Sequence, residues 1–368
     1  FRGDEEGLLG EFRPFRLMHG IYGQRQEDNQ MIRVKLPYGG VSADQMEAFT
    51  VIAEKYSGYR RGHITTRENF QFHFVNLDDV PEVLRLLAGV GLGTREACGN
   101  TVRNVVTCPL AGVCRSELFD VTPYLVAYVR RFVRHPVTQN MPRKWKTSFS
   151  PCPIDCATAP MHDLGFVAQT RVENGTVRKG FKMMVGGGTS IMPKLAQTLY
   201  DFVPVEDYLR VSEAILRVFN NADELRKNKM MARIKVLIHR IGIDKFRDLV
   251  EKELKEPWAQ EPPETFDPTP LMEDLVAQEE KAALALSRND HRHDIPQDAG
   301  FLKWRTTNAI AQRQPGFYVA HVKVERGDLT GSQFHALADI VRKYAPGQAR
   351  VTYEQNLALR WVREGDLY

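Results

Sequence analysis

Four of the five cysteines in this chain stand in two pairs, Cys108 with Cys114 and Cys152 with Cys156. The first pair has C-x5-C spacing in TCPLAGVC, the second C-x3-C spacing in SFSPCPIDCATA. Thiolates at turn-like spacing, in two segments joined by a chain long enough to fold back, can converge on one metal or iron–sulfur centre. Pro109, Gly112, Pro151 and Pro153 keep both segments out of regular helix and leave backbone N–H groups free to bond sulfur. Between the pairs lies the basic run PRKWK, Pro142 to Lys146. If this run is a strand, Lys144 and Lys146 share one face and offer two ammonium groups to an anion. A structural zinc site and buried, unliganded thiols are the plainer readings of the four cysteines. Cys98, standing apart, reads as a small core residue.

These side chains need a scaffold, and the chain is long enough for one. Its 368 residues suggest two or three domains, and 43% hydrophobic with 26% charged residues is an ordinary globular balance. No run approaches the ~18 uncharged apolar residues of a membrane span. The opening FRGDEEG has no apolar signal core and no initiator Met, which leaves upstream residues and targeting open. The net charge of +4 is spread along the chain with no basic tail, which argues against nucleic-acid binding and allows a local basic pocket. An odd cysteine count with close pairs points to a reducing, cytoplasmic setting rather than to disulfides.

In order along the chain, MIRVKLP (Met31 to Pro37) alternates like a strand, and Gly39-Gly40 ends it. Ser42 with Gln45 is a capping-box pattern for a helix with an apolar stripe from Met46 to Tyr56. His63 to Val75 reads as a second strand, with Phe70, Phe72 and Phe74 on the core face and Asn69, Gln71 and His73 opposite. Asp78, Asp79 and Pro81 start a helix through Leu87. This order makes a small α+β half-domain.

From Gly91 the chain is loop-rich, and a helix is expected from Pro123 to about His135, capped by Asp120 or Thr122. Strands Gly165 to Val172 and Gly180 to Val185 flank an Asn174-Gly175 turn, and Gly186-Gly187-Gly188 follows. Helices are expected at Val205 to Phe219, Glu224 to Ile241 and Asp244 to Leu254. The Pro-rich and polar stretch Glu256 to Ala299 reads as a connection holding a short acidic helix at about Leu271 to Leu286. Beyond it the chain repeats itself. GDLTGSQFHALADIVRKYA at Gly327 to Ala345 matches GGVSADQMEAFTVIAEKYS at Gly39 to Ser57, and VTYEQNLALRWV matches ITTRENFQFHFV. Thr352 falls on Thr65, Asn356 on Asn69, Leu357 on Phe70, and Glu354 on Arg67.

The blocks TTRENFQFH, ACGNTVRNV, CPLAGVC, MPRKWK, CPIDCA, GFKMMVGGG and VTYEQNLAL, in this order over roughly Phe15 to Val362, resemble the siroheme-dependent nitrite and sulfite reductase family. The resemblance implies an α+β fold of ferredoxin-like half-domains plus a siroheme/[4Fe–4S] domain, a pseudo-twofold repeat broken off in its second copy. The expected divisions are a half-domain with an N-terminal extension at 1–90, the cofactor-type domain at 91–255, a linker at 256–305 and the start of a second half-domain at 306–368. It implies siroheme and a [4Fe–4S] cluster as cofactors, and six-electron reduction of sulfite to sulfide or nitrite to ammonia. Ferredoxin or a similar donor would feed it, with no nucleic-acid or membrane partner.

By position, Arg67, Arg103, Lys144 and Lys146 resemble the family's anion-binding cations, and Arg67, Arg103, Arg143, Asn104 and Gly187 its siroheme contacts. Cys108, Cys114, Cys152 and Cys156 resemble cluster ligands, with Cys156 as the thiolate shared with the siroheme iron. The Gly186 to Gly188 run is equally explained as a strand-ending turn. Lys146, where nitrite reductases often carry Asn, and the FQFH sequence lean toward sulfite. One departure is plain: the family's cluster cysteines come from the second repeat, and here they stand in the first. The chain is therefore expected to be the N-terminal part of a longer reductase, or a half with a cluster of its own. The alternative function is a non-catalytic, reductase-like half that binds an iron–sulfur cluster or zinc for assembly or electron transfer.

Overall fold

The computed structural model describes residues 6–262, 278, 281–286 and 298–368, with side chains from Gly10 onward. Most of the expected acidic helix at Leu271 to Leu286 lies outside the described residues. The chain divides into two compact units. The first comprises Phe1–Ala97, Val113–Arg115 and Asp274–Tyr368, the second Cys98–Gly112 and Ser116–Glu273.

The first unit holds two five-stranded antiparallel sheets that exchange an edge strand. One runs Ile21–Gly23, Asn29–Arg33, Phe70–Asn76, Arg61–Ile64 and then Asp328–Thr330, which comes from the second repeat. The other runs Ala309–Ala311, Phe317–Val322, Leu357–Arg363, Gln348–Val351 and then Gly40–Ser42, from the first repeat. Asp328 pairs with His63, and Arg350 with Gly40. Each donated strand runs straight into a helix through a capping box, Ser42 with Gln45 and Thr330 with Gln333. The two helices, Ala43–Val51 and Gly331–Tyr344, pack on one another over a shared core. Phe49 lies 5.0, 5.5 and 5.6 Å from the rings of Phe70, Phe72 and Phe334. Such tilted and edge-on pairs add to the gain from burying the rings themselves.

Two expected elements differ here. The strand expected at Met31 to Pro37 is Asn29–Arg33. His63 to Val75 is not one strand but two antiparallel ones, Arg61–Ile64 and Phe70–Asn76, joined by a tight turn. Thr65 N–H donates to Asn69 O at 2.8 Å, Thr65 Oγ1 to Asn69 Oδ1 at 2.6 Å, and Glu68 takes a left-handed φ of 54°. Side-chain bonds of this kind offer the backbone an alternative to the ladder. Alternation on both sides of the turn hides it in the sequence. Phe74, also left-handed at φ 55°, is only half-buried, and the buried stripe passes from Phe72 to Val75.

The second unit is built on a mixed sheet in the order Gln197–Pro204, Thr176–Val185, Leu164–Glu173, Thr147–Ser150, Val106–Thr107. The last three strands run parallel. The first three are antiparallel, and the Leu164–Glu173 and Thr176–Val185 hairpin turns at Asn174 and Gly175, both left-handed as a two-residue hairpin turn needs. An aromatic core fills one face. Phe149 and Phe166 stack at 4.2 Å, and Tyr124, Tyr128, Phe181 and Tyr208 close around them. Tyr208 on helix Tyr208–Asn220 donates its hydroxyl to Tyr124 O on helix Thr122–Phe132 at 2.8 Å. The helix expected from Glu224 to Ile241 breaks into Asp223–Arg226, a 3-10 turn at Lys229–Met231, and Ile234–Ile241. Asn228 causes the break by accepting the Met230 N–H at 3.0 Å.

Candidate functional site

The parallel strands Val106–Thr107 and Thr147–Ser150 decide where two of the cysteines go. They pair Thr107 with Phe149, and Thr107 Oγ1 also donates to Phe149 O at 2.7 Å. Cys108 follows directly on the first strand, and Cys152 follows two residues after the second. Both turns therefore leave the sheet at the same end. The Cys152 turn is held by Asp155, whose carboxylate accepts from Ser150 Oγ and, at 3.0 Å, from Ala159 N–H. Cys108 and Cys152 are buried, while Cys114 and Cys156 are partly open. Cys98, as expected, is a buried residue.

Cys108, Cys152 and Cys156 belong to the second unit. Cys114 belongs to the short Val113–Arg115 segment of the first, where Arg313 N–H donates to Val113 O and Arg115 Nε to Gln312 O, at 2.9 and 3.0 Å. Among the described residues, no three His, Cys, Asp or Glu side chains stand together as a metal-binding group. Cys108 and Cys152, thiolate donors at one end of neighbouring parallel strands, suit an iron–sulfur cluster in chemistry and backbone placement.

The cations of the second unit are brought together more fully. Residues 101–103 run beside Trp145: Trp145 N–H donates to Thr101 O at 3.0 Å, and Arg103 N–H to Trp145 O at 2.9 Å. Trp145 is fully buried, donates Nε1 to Tyr128 Oη at 3.1 Å, and lies 5.2 Å from the Phe219 ring. Its inward anchoring turns the half-buried Lys144 and Lys146 to the opposite face. Burial brings the Lys144 ammonium down to about 8, helped by repulsion from Arg103, Arg233 and Arg143 and opposed by Asp163. Positive charge is thus crowded around Lys144, which suits an oxyanion or the carboxylates of siroheme.

Three residues of this cluster escaped the sequence reading. Arg233 binds Asp163 through two hydrogen bonds, Nε to Oδ1 at 2.8 Å and Nη2 to Oδ2 at 2.7 Å, with both side chains buried. Asp163 Oδ2 also accepts the Lys146 N–H at 2.8 Å. Lys235, two residues on, donates to the carbonyls of Gly188, Thr189, Ile191 and Met192 at 2.9 to 3.2 Å. The only sequence signal was the R-x-K pair at the start of a basic helix.

Gly187 has a packing reason of its own. A Cβ there would run into the backbone oxygens of Pro160 and His162, and Gly187 N–H donates to His162 O at 2.8 Å. Asn104 is buried and Arg143 half-buried in the same unit. Arg67 lies in the first unit, at the tip of the Thr65 to Asn69 turn rather than on a strand, with its N–H donating to Thr65 Oγ1 at 3.1 Å.

A model of the nitrite and sulphite reductase 4Fe-4S domain matches residues 98–258, and one of the nitrite/sulfite reductase ferredoxin-like half domain matches 22–90 and 310–367. The chain belongs to the nitrite and sulfite reductase family. The cofactors of this family are siroheme and a [4Fe–4S] cluster.

Two curated relatives differ in the substrate their names give. A sulfite reductase [ferredoxin] of Mycolicibacterium paratuberculosis is 34% identical over 68% of this chain and 46% of its own length. An assimilatory ferredoxin-dependent nitrite reductase of Haloferax mediterranei is 28% identical over 95% of this chain and 58% of its own. The chain therefore spans about half the length of the curated relatives it matches. The solved NirA protein of Mycobacterium tuberculosis superposes with a TM-score of 0.75 at 27% identity, covering 98% of this chain and 61% of that one. That likeness bears out the expected nitrite/sulfite reductase-like α+β fold.

Proposed function

We propose that this chain serves six-electron reduction of sulfite to sulfide, or of nitrite to ammonia, as an oxidoreductase fed by ferredoxin or a similar donor. The observation that carries the proposal is the crowding of Arg103, Arg143 and Arg233 around Lys144. Arg103, Lys144 and Lys146 hold the substrate anion, and Arg67 takes the same role by its match to the family's TTRENF block. Siroheme coupled to a [4Fe–4S] cluster would supply the electrons and an iron centre for the reduction. In this reading Cys108, Cys114, Cys152 and Cys156 would hold the cluster, and Cys156 would also serve the siroheme. Asn104, Arg143 and the Gly187 turn are its cofactor contacts.

The cations do two things. They draw a compact oxyanion out of water through charge-assisted hydrogen bonds. They also stabilise the negative charge that builds on its oxygens and supply protons as those oxygens leave as water. Lys144 Nζ, held at about 8, can give up and regain a proton near neutral pH, which an ordinary lysine cannot. The name of one relative points to sulfite and that of another to nitrite. The Lys146 position favours sulfite. The reading carries a cytoplasmic setting with it.

The test is an anaerobic absorption spectrum of the chain, with iron and acid-labile sulfide counted on the same sample. A porphyrin-type Soret band with a far-red band and about five irons per chain supports both cofactors in these residues. A colourless protein containing zinc would sink the assignment for the four cysteines.

A further inference from the structure

The ion pair between Asp163 and Arg233 has no part in the family's blocks as they read in the sequence, yet it sits directly behind the lysine pair. Asp163 precedes the central strand Leu164–Glu173, and all three of its oxygens accept hydrogen bonds. Its main-chain oxygen accepts Gly186 N–H at 3.0 Å, Oδ1 accepts Arg233 Nε at 2.8 Å, and Oδ2 accepts both Arg233 Nη2 at 2.7 Å and Lys146 N–H at 2.8 Å. Leu164 N–H then donates to Lys146 O at 3.2 Å, so Lys146 is held at both its N–H and its carbonyl. Arg233 is locked in turn, since it enters helix Ile234–Ile241 beside Lys235, whose ammonium is held by four carbonyls of the 188–192 loop.

We propose that Asp163, clamped by Arg233, is a positioning residue for the anion site: it fixes the Lys146 backbone and sets the charge balance that Lys144 experiences. This rests on the assignment of Lys144 and Lys146 to the anion. The charged groups facing Lys144 are Arg103, Arg143 and Arg233, with Asp163 as the opposing carboxylate. Asp163 and Arg233 therefore act on Lys144 with opposite signs, although they are joined to one another. A pair that merely held the fold would show no such opposition, because loosening the site from either side would let water in and raise the Lys144 value.

The experiment labels lysine at the ε-carbon with 13C and follows the Lys144 resonance, assigned with Lys144→Arg, through a pH titration of the full chain. Asp163→Asn keeps an acceptor for the Lys146 N–H and loses the charge, and Lys144 is expected to titrate about one pH unit lower. Arg233→Gln removes a repelling cation and frees the carboxylate, and Lys144 is expected to titrate about one pH unit higher. The double variant Asp163→Asn, Arg233→Gln keeps a neutral hydrogen-bonded pair, so it stands in if a single variant fails to fold; there Lys144 is expected near its wild-type value. Both single variants shifting upward together, neither shifting, or the double variant rising toward an ordinary lysine value overturns the proposal. Adding nitrite to the wild-type chain separates this from the functional reading. If nitrite leaves Lys144 unmoved while the variants shift in opposite directions, the anion assignment fails and the positioning relationship stands.

Discussion

Nδ1 of His63 lies 2.8 Å from Oδ1 of Asp328, across 265 residues of sequence. The other carboxylate oxygen of Asp328 accepts the Tyr59 hydroxyl at 3.1 Å. These bonds sit where the second repeat lays its strand Asp328–Thr330 against the first repeat's Arg61–Ile64. Asp328→Ala removes both and leaves His63 without this acceptor. The expected loss is about 1–3 kcal/mol, read as a lower urea midpoint with an unchanged slope. A midpoint equal to wild type would show that backbone pairing alone holds the seam.

Anion binding is expected to depend on pH through Lys144. Its value of about 8 lies below the ordinary 10.5, so the cation is present below 8 and is lost as pH rises through it. Nitrite affinity, measured by calorimetry, is expected to be flat on the acid side and to fall by up to about tenfold per pH unit above 8. Stability runs the other way. Between 8 and 10.5 the unfolded chain binds more protons, so the Lys144 contribution to stability rises with pH across that window. Lys144→Arg should flatten the affinity profile, and an unchanged profile in that variant would remove Lys144 as its source.

The cysteines divide by role. Cys156→Ser and Cys108→Ser are expected to cut iron and acid-labile sulfide to background after anaerobic reconstitution, whereas Cys98→Ala should keep about four irons per chain. Equal iron in all three variants would refute ligation by these thiols.

The Arg233–Asp163 pair is buried, and a lone buried charge is expensive. Arg233→Met alone is expected to cost about 3–5 kcal/mol, while Arg233→Met with Asp163→Leu should recover most of it. Chemical denaturation of the three proteins reads this directly, and a double variant as unstable as the single would show that the pair's hydrogen bonds, including that to Lys146, carry the stability.

Gly187→Ala is expected to destabilise by about 1–3 kcal/mol, because the new methyl group has only the Pro160 and His162 backbone to enter. Gly91→Ala, with nothing near its Cβ but a left-handed φ of 73°, separates backbone strain from steric clash in the same thermal measurement.

Legibility in the sequence followed distance along the chain. The repeat, the Ser42 capping box and the hairpin at Asn174-Gly175 are local patterns, and they could be read directly. The turn at Thr65 to Asn69 is local too, but the alternation of apolar residues runs across it and suggests one strand. Arg67 was therefore expected on a strand and lies in a turn. Lys144 and Lys146 were legible as a pair because period two places them on one face. The groups that tune them were not, since Asp163 lies 17 residues from Lys146 and Arg233 a further 70 away. Only the fold joins those three. The breaking of the Glu224 to Ile241 helix was signalled by Asn228, whose side chain competes for the backbone.

The exchanged edge strands also constrain the order in which this protein can be made. The first repeat's sheet has four strands of its own and waits for Asp328–Thr330 to supply the fifth. A chain emerging from the ribosome therefore carries an open sheet edge at Arg61–Ile64 while some 260 further residues are synthesised. An unpaired edge over that interval is a template for wrong partners. The exposed Arg61 on that strand, and the hydroxyl and imidazole of Tyr59 and His63 beside it, keep the waiting edge polar until its partner arrives.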